Sequence, residues 1–246
     1  MFYRSRRAHS GRQPQSADAV IEQALAEHGL ILRGGFNFVE ADAAPASVTG
    51  EPAKAVLLVG QAGAAPWPHF LKWRQAKADD MANPLDTWSR EVIGEIGSRF
   101  GARAVSPNDK PFLPFQQWAM RAEGLKPSPL GVLMHPEYGP WHAYRGALLF
   151  DGPGVALELR ALNQAARAPI HLCDLCVGKP CRKACPVDAH AGDEFAYQTC
   201  LSHVRSPAGE ACMTGGCLDR NACPYGAAYR YSAEQQAFHM RAFAGA

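Results

Sequence analysis

Three observations predict an α+β fold for this chain of 246 residues. Apolar runs of strand length alternate with helical periodicity, but without a strict βαβ rhythm. Hydrophobic residues make up 47% of the chain, enough for a core without covalent staples. All eight cysteines fall between Cys173 and Cys223, which divides the chain into a cysteine-free body and a cysteine-dense module.

Residues 1–16 carry Arg4, Arg6, Arg7 and Arg12 with no acid and read as a solvated basic tail. Ser16 then suits a helix N-cap. Val20, Ile21, Ala24 and Leu25 recur at helical spacing, and Gly29 suits the end of that helix. Leu30–Leu32 followed by Arg33-Gly34-Gly35-Phe36-Asn37-Phe38 reads as a short strand with a turn. Ala55–Val59, between Pro52 and Gly60, is a continuous apolar run and should be a buried strand. Pro66 opens a helix reaching Lys72. Asn83-Pro84 opens another, with Trp88, Val92, Ile96 and Phe100 on one stripe and Gly101 closing it. That stripe reads as core. Ala102–Val105, Gly131–His135 and Trp141–Phe150 read as strands, the last ending at the Asp151-Gly152-Pro153-Gly154 turn.

Lys and Arg number 25 against 23 Asp and Glu, a formal charge of +2 that argues against nucleic acid as a partner. The longest apolar runs fall far short of the ~20 residues of a membrane span. No apolar signal segment follows the basic start, so a soluble, cytoplasmic protein without a membrane partner is expected. The chain has neither a GxGxxG fingerprint nor a GxxxxGK[ST] loop, which removes most support for nucleotide cofactors.

The cysteines carry the chemistry. Cys173, Cys176, Cys181 and Cys185 stand in the pattern C-x2-C-x4-C-x3-C, followed by Pro186; Cys200, Cys212, Cys217 and Cys223-Pro224 follow. Closely spaced soft sulfur donors suit an iron–sulfur cluster, and eight suit two [4Fe–4S] clusters. Two zinc sites, one cluster with free thiols, or four disulfides would use the same residues. The first run is similar to the C-x2-C-x2-C-x3-C-P of bacterial ferredoxins, with two further residues before its third cysteine. In that pattern the fourth cysteine serves the other cluster. The resemblance therefore implies one set of Cys173, Cys176, Cys181 and Cys223, and another of Cys185, Cys200, Cys212 and Cys217. Lys179, Arg182, Lys183 and Arg205 would partly offset thiolate charge, or form a solvated surface.

The body has a second resemblance. Gly131-Val-Leu-Met-His135-Pro136-Glu-Tyr138-Gly139-Pro-Trp141-His-Ala-Tyr-Arg145-Gly146 resembles the H-P-x-[YF]-G-x-W-x-A-x-R-G segment of the cobalamin-processing CblC family. Lys54–Val59 with Phe70-Leu71 and Asp86, and Arg230-Tyr231-Ser232-Ala-Glu234-Gln235-Gln-Ala-Phe238, are similar to two more segments of that family. The likeness spans roughly residues 17–150 and 218–243. It implies a nitroreductase- or flavin-reductase-like (CblC-like) body that holds cobalamin base-off. The cysteine module departs from that family, which puts its glutathione-dependent dealkylation in doubt here. The eight-cysteine layout resembles epoxyqueuosine reductases, which pair a corrinoid body with two [4Fe–4S] clusters; Cys200-Leu-Ser202 matches their middle element, while the gaps at Cys212, Cys217 and Cys223 are longer. That family's catalytic-acid region and tRNA-binding repeats have no counterpart.

These resemblances imply His135, Tyr138, Gly139, Trp141, Arg145 and Arg220 as corrinoid-binding candidates. His135 would line the corrin pocket or bond backbone at a strand end. Gly139 would permit close backbone approach. Trp141 would offer an apolar face or core packing. Arg145 would bond a corrin amide as a forked donor or form a salt bridge. Arg220 resembles an arginine that in the family binds the thiol cosubstrate, or sits near a cluster. No catalytic residue is assigned.

The expected organisation is a tail (1–16), a corrinoid-binding body (17–165), a small ferredoxin-like two-cluster module (166–226) and a helix packing on the body (227–246). The expected function is a redox protein that binds base-off cobalamin and reduces it, or removes its upper ligand. Its electrons would come from an external donor, whether flavodoxin, ferredoxin or a reductase. An electron carrier without a corrinoid, a tRNA-modifying reductase, and flavin in place of cobalamin are the competing readings.

Overall fold

A computed structural model describes residues 17–78, 80–152, 170–192 and 194–245. The basic tail, Ser16 and the second half of the Asp151–Gly154 turn, Pro153 and Gly154, lie outside them. A four-stranded antiparallel sheet of order β1-β2-β6-β3 organises the body. Its strands are β1 (Ile31–Asn37), β2 (Ala55–Ala62), β3 (Arg103–Val105) and β6 (His142–Phe150). A separate ribbon pairs β4 (Lys126–Pro127) with β5 (Leu133–Met134). The α+β expectation holds. Residues 131–135 are less extended than expected, because the strand stops at Met134 and His135 closes back on Gly139 as a single bridge.

Alternation along β2 and β6 sends side chains to two cores. Ala55, Leu57, Val59, Leu148 and Phe150 meet helices α1 (Ala17–Ala26), α2 (Trp67–Arg74) and α3 (Pro84–Arg99) through Leu25, Phe70, Trp88 and Ile96. The Trp88 stripe is indeed core. Val56, Leu58, Ala147 and Leu149 instead meet α4 (Phe115–Glu123). Sequence reading left α4 out, although Phe115, Trp118, Ala119 and Ala122 recur at i, i+3, i+4 and i+7 and all are buried. Gly124 closes it in the left-handed conformation.

The expected turn inside the first strand is a β-bulge. The β1–β2 register shifts between Leu32 and Gly35, so the chain runs on as one strand from Ile31 to Asn37. A second bulge shifts β2 against β6, pairing Val59 with Gly146 but Gly60 with Tyr144. Arg145 is the extra residue. Bulges re-aim side chains, and these two send arginines to opposite faces. Arg33 reaches Glu123 on the α4 side, and Arg145 reaches α3.

The cysteine-bearing segment is a chain of short helices: α5 (Leu172–Leu175), α6 (Tyr197–Val204), α7 (Glu210–Gly215) and α8 (Leu218–Asn221). α9 (Ala233–Ala244), capped by the Ser232 side chain on the Gln235 amide, closes the described chain. The helix expected on the body packs on both parts. Phe238 packs against Trp67 and Phe70 at 5.3 and 5.4 Å between ring centroids. Met240, Phe243 and Ala244 join Val204, Cys200 and Cys212.

Candidate functional site

All eight cysteines are free thiols. Cys173 lies on α5, Cys200 on α6 and Cys212 on α7, Cys217 caps α8, and the others sit in the turns between. Their mutual electrostatics divide them in two. Burial first, then Cys181, Cys223 and Cys176, raise the Cys173 thiol to about 11 against the opposing charge of Lys179. Cys181 is raised by burial and then by Cys223 and Cys176, and Cys223 by burial and then by Cys176. Burial first, then Cys217, Cys185, Cys212 and Asp219, raise Cys200 to about 11. Cys212 and Cys217, raised first by burial, each also feel Cys185. Cys185, Cys200, Cys212 and Cys217 also line one small apolar cavity with Val187, Leu218 and Met240.

Thiols so buried and crowded resist ionisation unless a cation compensates them, which is the setting in which metals bind thiolates. Among the described residues, no three or more His, Cys, Asp or Glu converge as the ligands of a single metal ion. Eight soft donors, none cross-linked and several of them packed among apolar side chains, are consistent with iron–sulfur ligation. Met134, Leu172 and Tyr225 surround Cys173 and Cys223.

Between the groups lies Asp219, which is 1% exposed. Its carboxylate accepts from the Ala184 amide at 3.0 Å and faces His190 Nδ1 at 2.8 Å. The sequence shows neither partnership, since the residues lie 29 and 35 positions apart. Three of the four cations expected near the thiols are committed to backbone. Lys179 donates to Cys173 O, Arg182 to His190 O and Ala191 O, and Arg205 to Ala244 O. Lys183 is exposed.

The body meets the thiols at the His135–Trp141 turn. A Cβ on Gly139 (φ +56°) would stand 2.4 Å from Tyr225 O, and one on Gly226 (φ +66°) 2.1 Å from Tyr138 O. Close backbone approach was expected at Gly139, and it is made to the segment following Cys223. Arg220 donates to Pro140 O at 2.6 Å, and its guanidinium lies 4.6 Å from the Trp141 ring centroid and 4.8 Å from that of Tyr231. Trp141 is fully buried, and both its indole nitrogen and Arg220 Nε lack a partner.

Around the same turn runs a polar network that sequence reading missed. Arg33 and Glu123 form a two-pronged pair at 2.9 and 2.9 Å. Arg33 also contacts Tyr144 Oη and His142 Nδ1 at 3.2 Å each, and Tyr144 donates to Glu123. His142 Nε2 lies 2.8 Å from Leu133 O, so the neutral ring carries its proton there and accepts from Arg33. Burial, then the Arg33 charge, lowers His142 to about 3. The same causes lower His135 to about 4. Its Nδ1 accepts from the Glu137 and Tyr138 amides, and its ring stacks on Tyr138 at 3.9 Å.

The turn thus brings together His135, Tyr138, Gly139, Trp141 and Arg220. Arg145 is engaged elsewhere, bonding Ser89 Oγ, Leu85 O and Asp86 at 3.0, 3.1 and 2.9 Å. It lines a cleft of about 400 Å³ with Asp86, Phe238, His239 and Arg241. Burial lowers His239 to about 4, with Arg145 and Arg220 acting in the same direction.

No protein-family model and no curated protein matches the chain. Among solved structures, it is similar to an epoxyqueuosine reductase from Bacillus subtilis, with 15% identity and a TM-score of 0.47 over 88% of this chain. It spans 66% of that enzyme's length, under two thirds. It is also similar to a C. elegans B12-trafficking protein, CblC, with 16% identity and a TM-score of 0.49 over 92% of this chain and 91% of that one.

Proposed function

We propose that the chain is an iron–sulfur redox protein that takes a corrinoid as its substrate, reducing it or removing its upper ligand reductively. The observation that supports the redox half is the set of eight free thiols, four of which, Cys185, Cys200, Cys212 and Cys217, line one small cavity. Cys173, Cys176, Cys181 and Cys223 would hold one [4Fe–4S] cluster, and Cys185, Cys200, Cys212 and Cys217 the other. When bound, such clusters supply one-electron transfer. The corrinoid half is supported by the resemblance of residues 131–146 to the CblC segment.

The chain's residues supply burial, orientation and proton placement. Met134, Tyr225 and Leu172 exclude water from the Cys173 group. Gly139 and Gly226 let the module's backbone meet the turn that carries His135 and Trp141. The neutral His142 ring, its proton on Nε2, fixes the turn through Leu133 O. Trp141 and Arg220 offer two buried, unpartnered donors for an acceptor oxygen of the substrate. Residues 17–165 would form the corrinoid-binding body, 166–226 the cluster module, and 227–246 the helix joining them.

One observation favours an electron carrier without a corrinoid. Arg145 is committed to α3, and the approach allowed by Gly139 is already taken by Tyr225. The cleft beside Arg145 is also at the small end for an organic ligand. Anaerobic absorption titration of the iron-loaded chain with hydroxocobalamin, before and after dithionite, separates the two. Conversion to the base-off spectrum and then to cob(I)alamin supports the corrinoid reading. A cluster band that bleaches with the corrinoid spectrum unchanged leaves the carrier.

A further inference from the structure

We infer that the loop between Cys176 and Cys181 is the docking surface for an acidic one-electron carrier protein, which delivers electrons to the Cys173 group. This rests on the two-cluster reading and specifies where electrons enter.

The sequence sets this loop apart, because x4 replaces the x2 of the ferredoxin pattern. The fold turns those residues outward. Gly178 and Lys179 are both left-handed, with φ of +76° and +40°. They project Val177, which is 96% exposed, while Leu175 on the other side of Cys176 is 61% exposed. Two branched aliphatic side chains flanking a cluster ligand contribute nothing to the core. Beside them lies an open groove of about 460 Å³, lined by Val177, Gly178, Pro180, Lys183, Ala184 and Ala222.

Charge selects the occupant. From Asp174 to Lys183 the segment carries Lys179, Arg182 and Lys183 against the single acid Asp174. Lys183 is exposed at the groove's rim, and Lys179 is held against Cys173 O at 2.8 Å. An apolar centre with a basic rim complements an acidic protein bearing an apolar face around its redox centre. Such transient interfaces are small, and steering by rim charges sets their rate. The other thiol group differs, since Cys185, Cys200, Cys212 and Cys217 line a cavity closed by apolar side chains of α6 and α9.

In the transfer step, the reduced carrier would lose one electron and a cluster held by Cys173, Cys176, Cys181 and Cys223 would gain it. No covalent bond forms or breaks.

The test uses the full-length, anaerobically reconstituted chain, with an acidic flavodoxin as the probe. Val177→Asp and Lys183→Glu alter exposed side chains, so their folding should match the parent by circular dichroism. Surface plasmon resonance should show flavodoxin binding weakened about 10-fold or more in each variant, and the parent's affinity should fall as salt rises. Stopped-flow bleaching by photoreduced flavodoxin should slow by a similar factor, with bleaching by dithionite unchanged. Parent-like binding and rates in both variants would overturn the inference. So would a parent that sediments as a dimer and a Val177→Asp variant that sediments as a monomer, since the patch would then join two copies. Iron analysis comes first. A chain that takes up no iron overturns the cluster reading and this inference together, whereas iron-loaded variants that behave like the parent overturn this inference alone.

Discussion

His142 shows what a single buried side chain does to this molecule. Its ring is held neutral near Arg33, and its protonation in the folded state is pushed down to about 3. In the unfolded chain an imidazole titrates near ~6.5. Between those values the unfolded chain binds more protons, so stability falls as pH drops from about 6.5 towards 3 and is intact above that window. His135 and His239, both lowered to about 4, act in the same direction. Thermal unfolding followed from pH 7 to 4.5 should show a shallower loss of Tm in His142→Gln than in the parent. An equal slope would mean that His142 does not titrate as described. At this scale the sequence was legible where contacts are local or the residue type is distinctive, as with the cysteines and the Trp88 stripe. It was silent on Arg33–Glu123, 90 residues apart, and on Asp219 with His190, because no spacing encodes a contact that only the tertiary fold creates.

At the scale of elements, two β-bulges and one turn position the site. The continuous apolar run of β2 and the turn signal after β6 marked both strands, but they could not show that the extra residue at Arg145 places Arg145 and Gly146 together on the α3 side. The same blindness made the β1 bulge read as a turn. The missed α4 was an error of a different kind, since its apolar period is plain once Phe115 is taken as the first buried position. The joint between the His135–Trp141 turn and the Cys223–Gly226 segment depends on two glycines. Gly139→Ala puts a methyl 2.4 Å from Tyr225 O on a left-handed backbone, which should cost about 2–4 kcal/mol. Denaturant unfolding measures that cost. A Gly139→Ala loss under ~0.5 kcal/mol would show that the turn and the module are not in register as described.

Across the whole molecule, the cysteine-dense segment is part of the body's packing rather than an appendage. α9 reaches both cores through Phe238 on one side and Met240 and Phe243 on the other. Arg220, between Cys217 and Cys223, spans to Pro140 and Trp141. Four of the eight thiols are buried, and apart from Lys179 beside Cys173 and Arg230 beside Cys223, a bound metal would be what compensates their ionised forms. Binding that needs the folded site stabilises it by linkage. Chelation under anaerobic conditions should therefore lower Tm by several degrees and loosen α9, as read by hydrogen exchange of its amides. An unchanged Tm would show that the thiol groups fold without metal.

The central claim is that eight thiols form two four-ligand cluster sites with crossed membership. Iron and acid-labile sulfide per chain, determined on anaerobically reconstituted parent and on Cys223→Ser and Cys217→Ser, test it most directly. The parent should hold about eight iron and eight sulfide. Each variant should fall to about four, with Cys223→Ser sparing the Cys185 group and Cys217→Ser the Cys173 group, distinguishable by the electron paramagnetic resonance of the reduced cluster that remains. Zinc without sulfide in the parent, or the same residual cluster signal in both variants, would contradict it.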